Sequence, residues 1–358
     1  MEITKTSARQ SATLQEIASQ AEVWQESLTD FRGNGALEKI LENSRKRTEW
    51  LFLGCGTSFY LAEAAAASWM LLTGDRARAL PASEPLLYPE LTFAGAENLQ
   101  SVIISRSGQT SEALRAANVL AREFHIPTLG VTCAASSPLV GICDLTLCVS
   151  RADEKSMVMT RSFTSMLLAL QQLAALRAGD KEFSAGLVRI ATHFATARNT
   201  MAERMETFVE KHSFADYVFL GQGPFHSIAR EAALKVMEMS CSYSQVFHSL
   251  EFRHGPKAIV SPDTCLMFFL SERGSGSESE VLSEMKELGG VTIAVCNRAN
   301  DLIRRSSDLV FDLGFEGPEL ATLAPAVIPA QMLGFFTGIK KNLNPDSPRN
   351  LTRVVILD

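Results

Sequence analysis

Apolar positions along the chain fall into two alternating textures. Unbroken runs rich in β-branched and aromatic residues lie at about 50–54, 101–105, 127–132 and 144–149, and again at about 216–221, 264–270, 291–296 and 308–313. Between them run longer segments of helical spacing. A run that is continuous rather than alternating reads as a strand buried on both faces, the habit of parallel sheets covered by their crossover helices. The predicted fold class is therefore α/β, with two tandem doubly wound parallel-sheet domains. Residues 8–30, with Leu14, Ile17, Ala21 and Trp24 at helical spacing, and residues 36–46 predict two N-terminal helices. They read as packing elements, because so short a segment holds too little core for a separate DNA-reading module. Helices are also predicted from Thr160 to about Arg177, over about 186–211 and over about 320–341.

The two halves repeat each other. Leu51-Phe-Leu-Gly54-Cys-Gly56 reappears as Val218-Phe-Leu-Gly221-Gln-Gly223, and at that same offset the loop Ser105–Thr110 falls on Glu272–Ser277. After a short deletion, Cys143-Asp144-Leu-Thr-Leu-Cys148 aligns with Ser307-Asp308-Leu-Val-Phe-Asp312. Predicted boundaries are 1–48 for the N-terminal helices, 49–199 and 200–341 for the two domains, and 342–358 for a C-terminal tail.

The most informative stretch is Ser105-Arg106-Ser107-Gly108-Gln109-Thr110, set between a strand and the amphipathic helix that starts at Ser111. Hydroxyls and unpaired backbone N–H groups converge there at a helix N-terminus, with a glycine that lets an anion come close. One reading is a phosphate site. The other is an ordinary strand-to-helix turn in which Ser and Thr act as N-caps. In doubly wound sheets ligands sit beyond the carboxyl ends of the strands, so the loops after Leu53 and Ile104 can serve one pocket.

Composition narrows the partners. A net charge of −6, with 46% hydrophobic and 21% charged residues, describes a folded chain without the basic surface that nucleic acid requires. No apolar signal core opens the sequence, and apolar stretches are interrupted before the roughly 20 residues of a membrane span, so a cytoplasmic protein without a membrane partner is expected. The seven cysteines form no Cys-x-x-Cys pair and the six histidines no metal spacing. Free buried thiols, no metal and no cofactor are expected.

In the second half, Glu231, Lys235 and Glu238 fall on one face of a helix whose other residues are small or apolar. Such spacing usually marks a solvated salt-bridge stripe. The apolar surroundings instead place these charges indoors, where a carboxylate invites a functional reading. Gly255-Pro256 after His254 forces a turn that presents the imidazole at a loop tip, a surface histidine or one half of an acid-base pair.

With these motifs together, the chain resembles the sugar isomerase (SIS) domain family, in particular the isomerase half of glucosamine-6-phosphate synthase and related amino-sugar-phosphate deaminase/isomerases. The resemblance runs from about residue 10 to the end and rests on Gly54–Ser58, Ser105–Thr110, Glu154–Thr164, Lys235–Glu238, His254-Gly-Pro and Pro348–Arg353. It implies that Ser105, Ser107 and Thr110 hold a sugar phosphate, with Arg106 and Gln109 in the same loop. Cys55, Gly56, Thr57 and Ser58 would meet the sugar, and Met157, Met159 and Thr352 would close over it. Glu238 would move the proton between C1 and C2, His254 would assist ring opening from a neighbouring subunit of a homodimer, and Lys235 would orient the substrate and bias Glu238. Arg353 stands where the synthase has a lysine; an arginine cannot serve as a Schiff-base amine, so an electrostatic role is expected. Arg106 replaces a neutral amide residue and either meets the phosphate or turns to an acidic neighbour.

The sequence starts in the isomerase region, which leads to the expectation that glutamine is not the nitrogen donor. The expected activity is conversion of glucosamine or galactosamine 6-phosphate to a ketose 6-phosphate and ammonia. Plain aldose-ketose isomerisation, deglycation of a sugar phosphate, and a non-catalytic sugar-phosphate sensor are the alternatives. A dinucleotide enzyme is disfavoured because Gly54-x-Gly56 lacks the third glycine of that fingerprint.

Overall fold

The computed structural model describes residues 10–44 and 46–357. All eight apolar runs are strands: β1 Glu49–Gly54, β3 Leu99–Ile104, β4 Thr128–Thr132 and β5 Leu145–Cys148, then β6 Asp216–Gly221, β8 Thr264–Leu270, β9 Val291–Cys296 and β10 Leu309–Asp312. Two more strands carry no such run, β2 Arg76–Pro81 and β7 Ser244–His248. Each lies at one edge of its sheet, in the orders β2-β1-β3-β4-β5 and β10-β9-β8-β6-β7, with β5 and β10 at the other edges. Every pairing is parallel. β2 and β7 are mostly half-exposed, a burial that an edge position permits and that asks for no continuous apolarity, although the opposite edges β5 and β10 do carry apolar runs.

The duplication extends to individual hydrogen bonds. The Asp144 carboxylate accepts from the Thr128 N–H and hydroxyl at 2.8 and 2.9 Å, and Asp308 accepts from the Thr292 N–H at 2.8 Å and its hydroxyl at 3.3 Å. Each pair fastens the entry of one strand to its neighbour. Gly54 and Gly221 match as well, since a Cβ at either would lie 2.3 or 2.4 Å from a carbonyl oxygen of the following helix. Strand register corrects one correspondence. Leu53 pairs with Ile103 and Leu220 with Phe268, so the counterpart of Ser105 is Leu270 rather than Glu272.

Two compact units result, each discontinuous in sequence. One comprises Gln20–Glu154, Arg161–Val188 and the chain from Thr352 onward; the other comprises the chain up to Ser19, Lys155–Thr160 and Arg189–Leu351. The predicted N-terminal helix is broken at Ser19 into Ala12–Ala18 and Gln20–Asn34, while residues 8 and 9 lie outside the described residues. Ala36–Ser44 is the next helix; the predicted end beyond it includes Arg45, also outside them. The helix foreseen over 186–211 is longer, Lys181–Lys211.

The core of the first sheet gathers Leu51, Leu53, Ile103, Ala113, Ala117 and Leu120, and that of the second gathers Val218, Leu266, Phe268, Val281, Met285 and Ile303. The helical stretch Glu319–Lys340 is 22 residues long with a mean hydropathy of 1.5, contrary to the expectation that no stretch reaches spanning length. Its most apolar window is 89% buried inside the protein, which accounts for that apolarity as core.

Candidate active site

In the first repeat, β1 runs into Gly54-Cys55-Gly56 and the helix Thr57–Thr73, whose first residues Thr57 and Ser58 are buried. The Cys55 thiol is pushed up to about 11 by burial and by the Glu112 carboxylate, so it stays neutral and is no nucleophile. β3 delivers the second loop. Ser105 is buried and its Oγ lies 3.2 Å from the Thr110 hydroxyl while accepting from Gly108 N at 3.1 Å. Ser107 Oγ accepts from Gln109 N at 3.2 Å, and the Gln109 side chain is exposed. Gly108 has φ +60° and passes so close to Ser137 that a Cβ would stand 2.0 Å from its hydroxyl oxygen. Thr110 is the N-cap residue of helix Ser111–Arg122, yet its side chain makes no capping bond. The plain N-cap reading therefore fails for Thr110, whose hydroxyl turns back to the loop.

Arg106 turns inward to an acidic neighbour. It is 5% exposed, its Nη1 is 3.4 Å from Glu154 Oε2, and its Nη2 donates to the Arg353 carbonyl at 3.2 Å. Glu154 is itself buried and accepts from the Ser162 N–H and hydroxyl. The Arg106 carbonyl accepts from Thr132 Oγ1 and Cys133 N, both at 3.0 Å, pinning the loop to the end of β4. The part of the tail from Thr352 onward belongs to this unit. Arg353 Nη2 meets Asp153 Oδ1 at 2.8 Å in an exposed pair, and Thr352 is exposed. Val355 O accepts from Ser111 N at 3.2 Å, and Leu357 N donates to Ser111 Oγ at 2.9 Å. The chain end is thus bound at the first turn of the helix that follows the loop.

Met157 and Met159, both half-buried, belong to the other unit. Glu16 of helix Ala12–Ala18 holds their segment, accepting from Lys155 N at 2.5 Å and from the Ser156 hydroxyl. Met157 N donates to the Asp346 carbonyl at 3.4 Å. The Asp346 carboxylate accepts from Ser11 Oγ, Ala12 N, Thr13 N and Thr13 Oγ1. Burial acts to raise its pKa, but these donors outweigh it and hold the group below the usual carboxylate range.

In the second repeat, helix Pro224–Ser240 carries Glu231, Lys235 and Glu238. Glycines at 334 and 338 bring helix Ile328–Lys340 against its backbone; a Cβ at Gly334 would lie 2.8 Å from Lys235 O. The Lys235 ammonium is fully buried, 3.4 Å from Glu231 Oε1 and in contact with Glu238 Oε2. Burial pulls the Lys235 pKa down, yet Glu231 and Glu238 more than compensate and leave it raised. Lys235 is enclosed, and Glu238, whose side chain is 18% exposed, forms the open end of the triad. A solvated stripe is ruled out. His254 is exposed on a turn, its N–H bound to Glu251 O at 2.9 Å.

Two features of this repeat escaped the sequence reading, and the cysteines of both repeats correct it. Glu278, wholly buried, accepts from Ser271 N at 2.9 Å, Ser271 Oγ at 2.7 Å and Ser249 Oγ at 3.0 Å. The loop after β8 therefore already holds a carboxylate of its own. His226 and His248 stack at 3.8 Å with 13° between their rings, and burial, His248 and Arg230 lower His226 to about 4. Cys241 is exposed and Cys55 and Cys148 half-exposed, so not every thiol is a core residue; all seven are free. No cluster of three or more side chains suited to a metal ion occurs among the described residues.

A duplicated parallel α/β domain, with a hydroxyl-lined loop at a helix N-terminus in one copy and a buried carboxylate-lysine triad in the other, defines a recognisable class. The SIS domain matches residues 44–176 and 216–333, and the chain belongs to that family. The D-galactosamine-6-phosphate deaminase AgaS of Shewanella sp. (strain ANA-3) is 27% identical over 361 residues, covering 94% of this chain and 87% of that protein. The glutamine–fructose-6-phosphate aminotransferase (isomerizing) of Pyrobaculum aerophilum is 28% identical over 321 residues, 86% of this chain. The chain spans about half the length of that aminotransferase, 51%. The solved glucosamine-6-phosphate deaminase of Thermotoga maritima superposes with a TM-score of 0.78 at 27% identity, covering 97% of this chain and all of that one. The tagatose-6-phosphate ketose/aldose isomerase of Escherichia coli, at 22% identity and a TM-score of 0.84 over 97% of this chain and 96% of that one, shares the fold. By name these proteins are an isomerizing aminotransferase, two amino-sugar-phosphate deaminases and a phosphosugar isomerase, and the present chain is an enzyme of the SIS family.

Proposed function

We propose that the protein deaminates an amino-sugar 6-phosphate, with glucosamine 6-phosphate and galactosamine 6-phosphate as the candidate substrates. The Ser105–Thr110 loop takes the phosphate, and Glu238 removes the C2 proton of the open-chain aminoaldose and returns a proton to C1. The resulting C2 imine adds water and expels ammonia, leaving a ketose 6-phosphate. The observation that carries this reading is the triad, in which a carboxylate at the open end of a buried network is oriented by an ammonium that never leaves it. Of the relatives named above that overlap nearly end to end, the Shewanella and Thermotoga proteins, each 27% identical, are deaminases and support deamination, while the Escherichia coli isomerase, at 22% identity, speaks for the fold alone.

His254 assists ring opening and reaches the site of a second copy in a homodimer, a role its exposed turn leaves open to it. Arg353 is electrostatic, consistent with its exposed pairing to Asp153. Cys55, Gly56, Thr57, Ser58, Met157, Met159 and Thr352 shape the sugar site. The test supplies each amino-sugar phosphate to purified enzyme and follows ammonia by a coupled assay and the sugar by mass spectrometry. Ammonia and ketose should appear in equal amounts. Interconversion of aldose and ketose phosphates with no ammonia from either amino sugar would replace this reading with plain isomerisation.

A further inference from the structure

Arg106 lies in the loop assigned to the phosphate, and a cation in such a loop is the obvious partner for the anion. Its geometry says otherwise. The guanidinium is 5% exposed, and among its protein partners are Glu154 Oε2 at 3.4 Å and the Arg353 carbonyl at 3.2 Å. The Glu154 side chain is wholly buried, and a cation beside it offsets the cost of holding a carboxylate there, next to the Ser162 N–H and hydroxyl that also donate to it. The Arg353 carbonyl belongs to a segment fastened further along to Ser111, the residue directly after the loop. Loop and tail are therefore joined twice, at Arg106 and at Ser111.

We infer that Arg106 is a positioning residue that couples the order of the 353–357 segment to occupancy of the Ser105–Thr110 loop, and that it makes no contact with the phosphate. The inference rests on the phosphate-loop reading above. An anion seated on the loop fixes the backbone from Ser105 to Thr110, which fixes Arg106 and strengthens its hold on the Arg353 carbonyl. By linkage, a secured tail raises the loop's affinity for the anion by the same factor. Arginine suits this position because its planar fork serves two acceptors at once, whereas lysine offers a single point charge.

The test is hydrogen exchange of the full chain, read by mass spectrometry over 353–357 and 105–115, for the wild type, R106K and R106Q. Each is measured alone, with inorganic phosphate and with glucosamine 6-phosphate. R106K retains a cation for Glu154, so it keeps the proposal testable if R106Q fails to fold. Without ligand, R106K should speed exchange of 353–357 by roughly threefold to tenfold, the weight of one hydrogen bond, while leaving the thermal midpoint near that of the wild type. With glucosamine 6-phosphate, tail exchange should slow in the wild type and change less in R106K. Unchanged ligand-free tail exchange in R106K overturns the inference. So does loss of inorganic phosphate binding in R106K with an intact tail, which would make Arg106 a phosphate ligand. If neither ligand alters exchange over 105–115 in the wild type, the phosphate-loop reading fails and the ligand coupling falls with it, while the ligand-free comparison still reports on the Arg106 link.

Discussion

Glu238→Gln separates chemistry from stability. Before substitution the triad holds two carboxylates and one ammonium, with Glu231 and Lys235 fully buried and Glu238 18% exposed. Glutamine keeps the shape and an acceptor for Lys235, and leaves Lys235 and Glu231 as a neutral pair. The expected stability change is therefore about 1 kcal/mol at most, a shift in Tm of roughly 2–4 °C. Turnover should fall by about 10²–10⁴ for loss of a positioned base, or about 2.7–5.4 kcal/mol of barrier, with phosphosugar binding close to intact. Lys235→Met is the control. It strands Glu231 without its cation and should cost about 3–5 kcal/mol, a large part of the roughly 5–15 kcal/mol of a typical domain. Because the folded pKa of Lys235 is raised, the stability it lends is complete below its unfolded value and is lost only as strongly alkaline pH passes the folded one. Ammonia release measured beside thermal melts decides the matter. Glu238→Gln retaining activity within tenfold of the wild type, or melting as low as Lys235→Met, would refute the assignment.

Three further outcomes are expected. Ser107→Ala and Thr110→Ala should each weaken phosphosugar binding, by about 0.5–1.5 kcal/mol if the lost bond is neutral and about 1.5–3 kcal/mol if it meets a charge, as measured by calorimetric titration; unchanged affinity in both places the phosphate elsewhere. His226 should remain neutral to a pH of about 4 in an NMR titration. Since its folded pKa is depressed, the associated stability is complete above the unfolded value and drains away as pH falls towards 4, a decline that His226→Gln should flatten. Asp346→Asn should cost about 0.5–2 kcal/mol, as loss of a helix N-cap does; its depressed pKa confines the acid loss of that stability to pH below the ordinary aspartate value, which melts across pH 3–6 would reveal.

The sequence made the six inner strands legible because each must bury both faces, and the edge strands β5 and β10 because they too carry apolar runs; β2 and β7, mostly half-exposed at the opposite edges, carry none. Glu231, Lys235 and Glu238 could be read from spacing and apolar neighbours alone. Arg106 could not be resolved, since its partners Glu154 and Arg353 are distant in the chain. Glu16 and Asp346 were missed for the same reason, although a carboxylate beside Ile17 on the buried face of the first helix was a usable signal. Glu278 was hidden by the two-residue shift in register, which laid the serine-rich stretch 272–277 over the phosphate loop and drew attention from the carboxylate behind it.

Glu278 makes the two copies thermodynamically unlike. The second repeat carries a covalently attached acceptor for its loop, at an effective concentration that dilution never lowers, so that loop needs no acceptor from the medium. The first repeat, on the proposed function, borrows its anion from solution, and its stability then rises with the logarithm of phosphosugar concentration above Kd. Heating at increasing inorganic phosphate, which on that reading meets the first loop alone, should then draw one unfolding transition upward and leave the other where it was. One ancestral domain would thus have yielded a copy whose loop waits on a soluble anion and a copy whose corresponding loop carries its own.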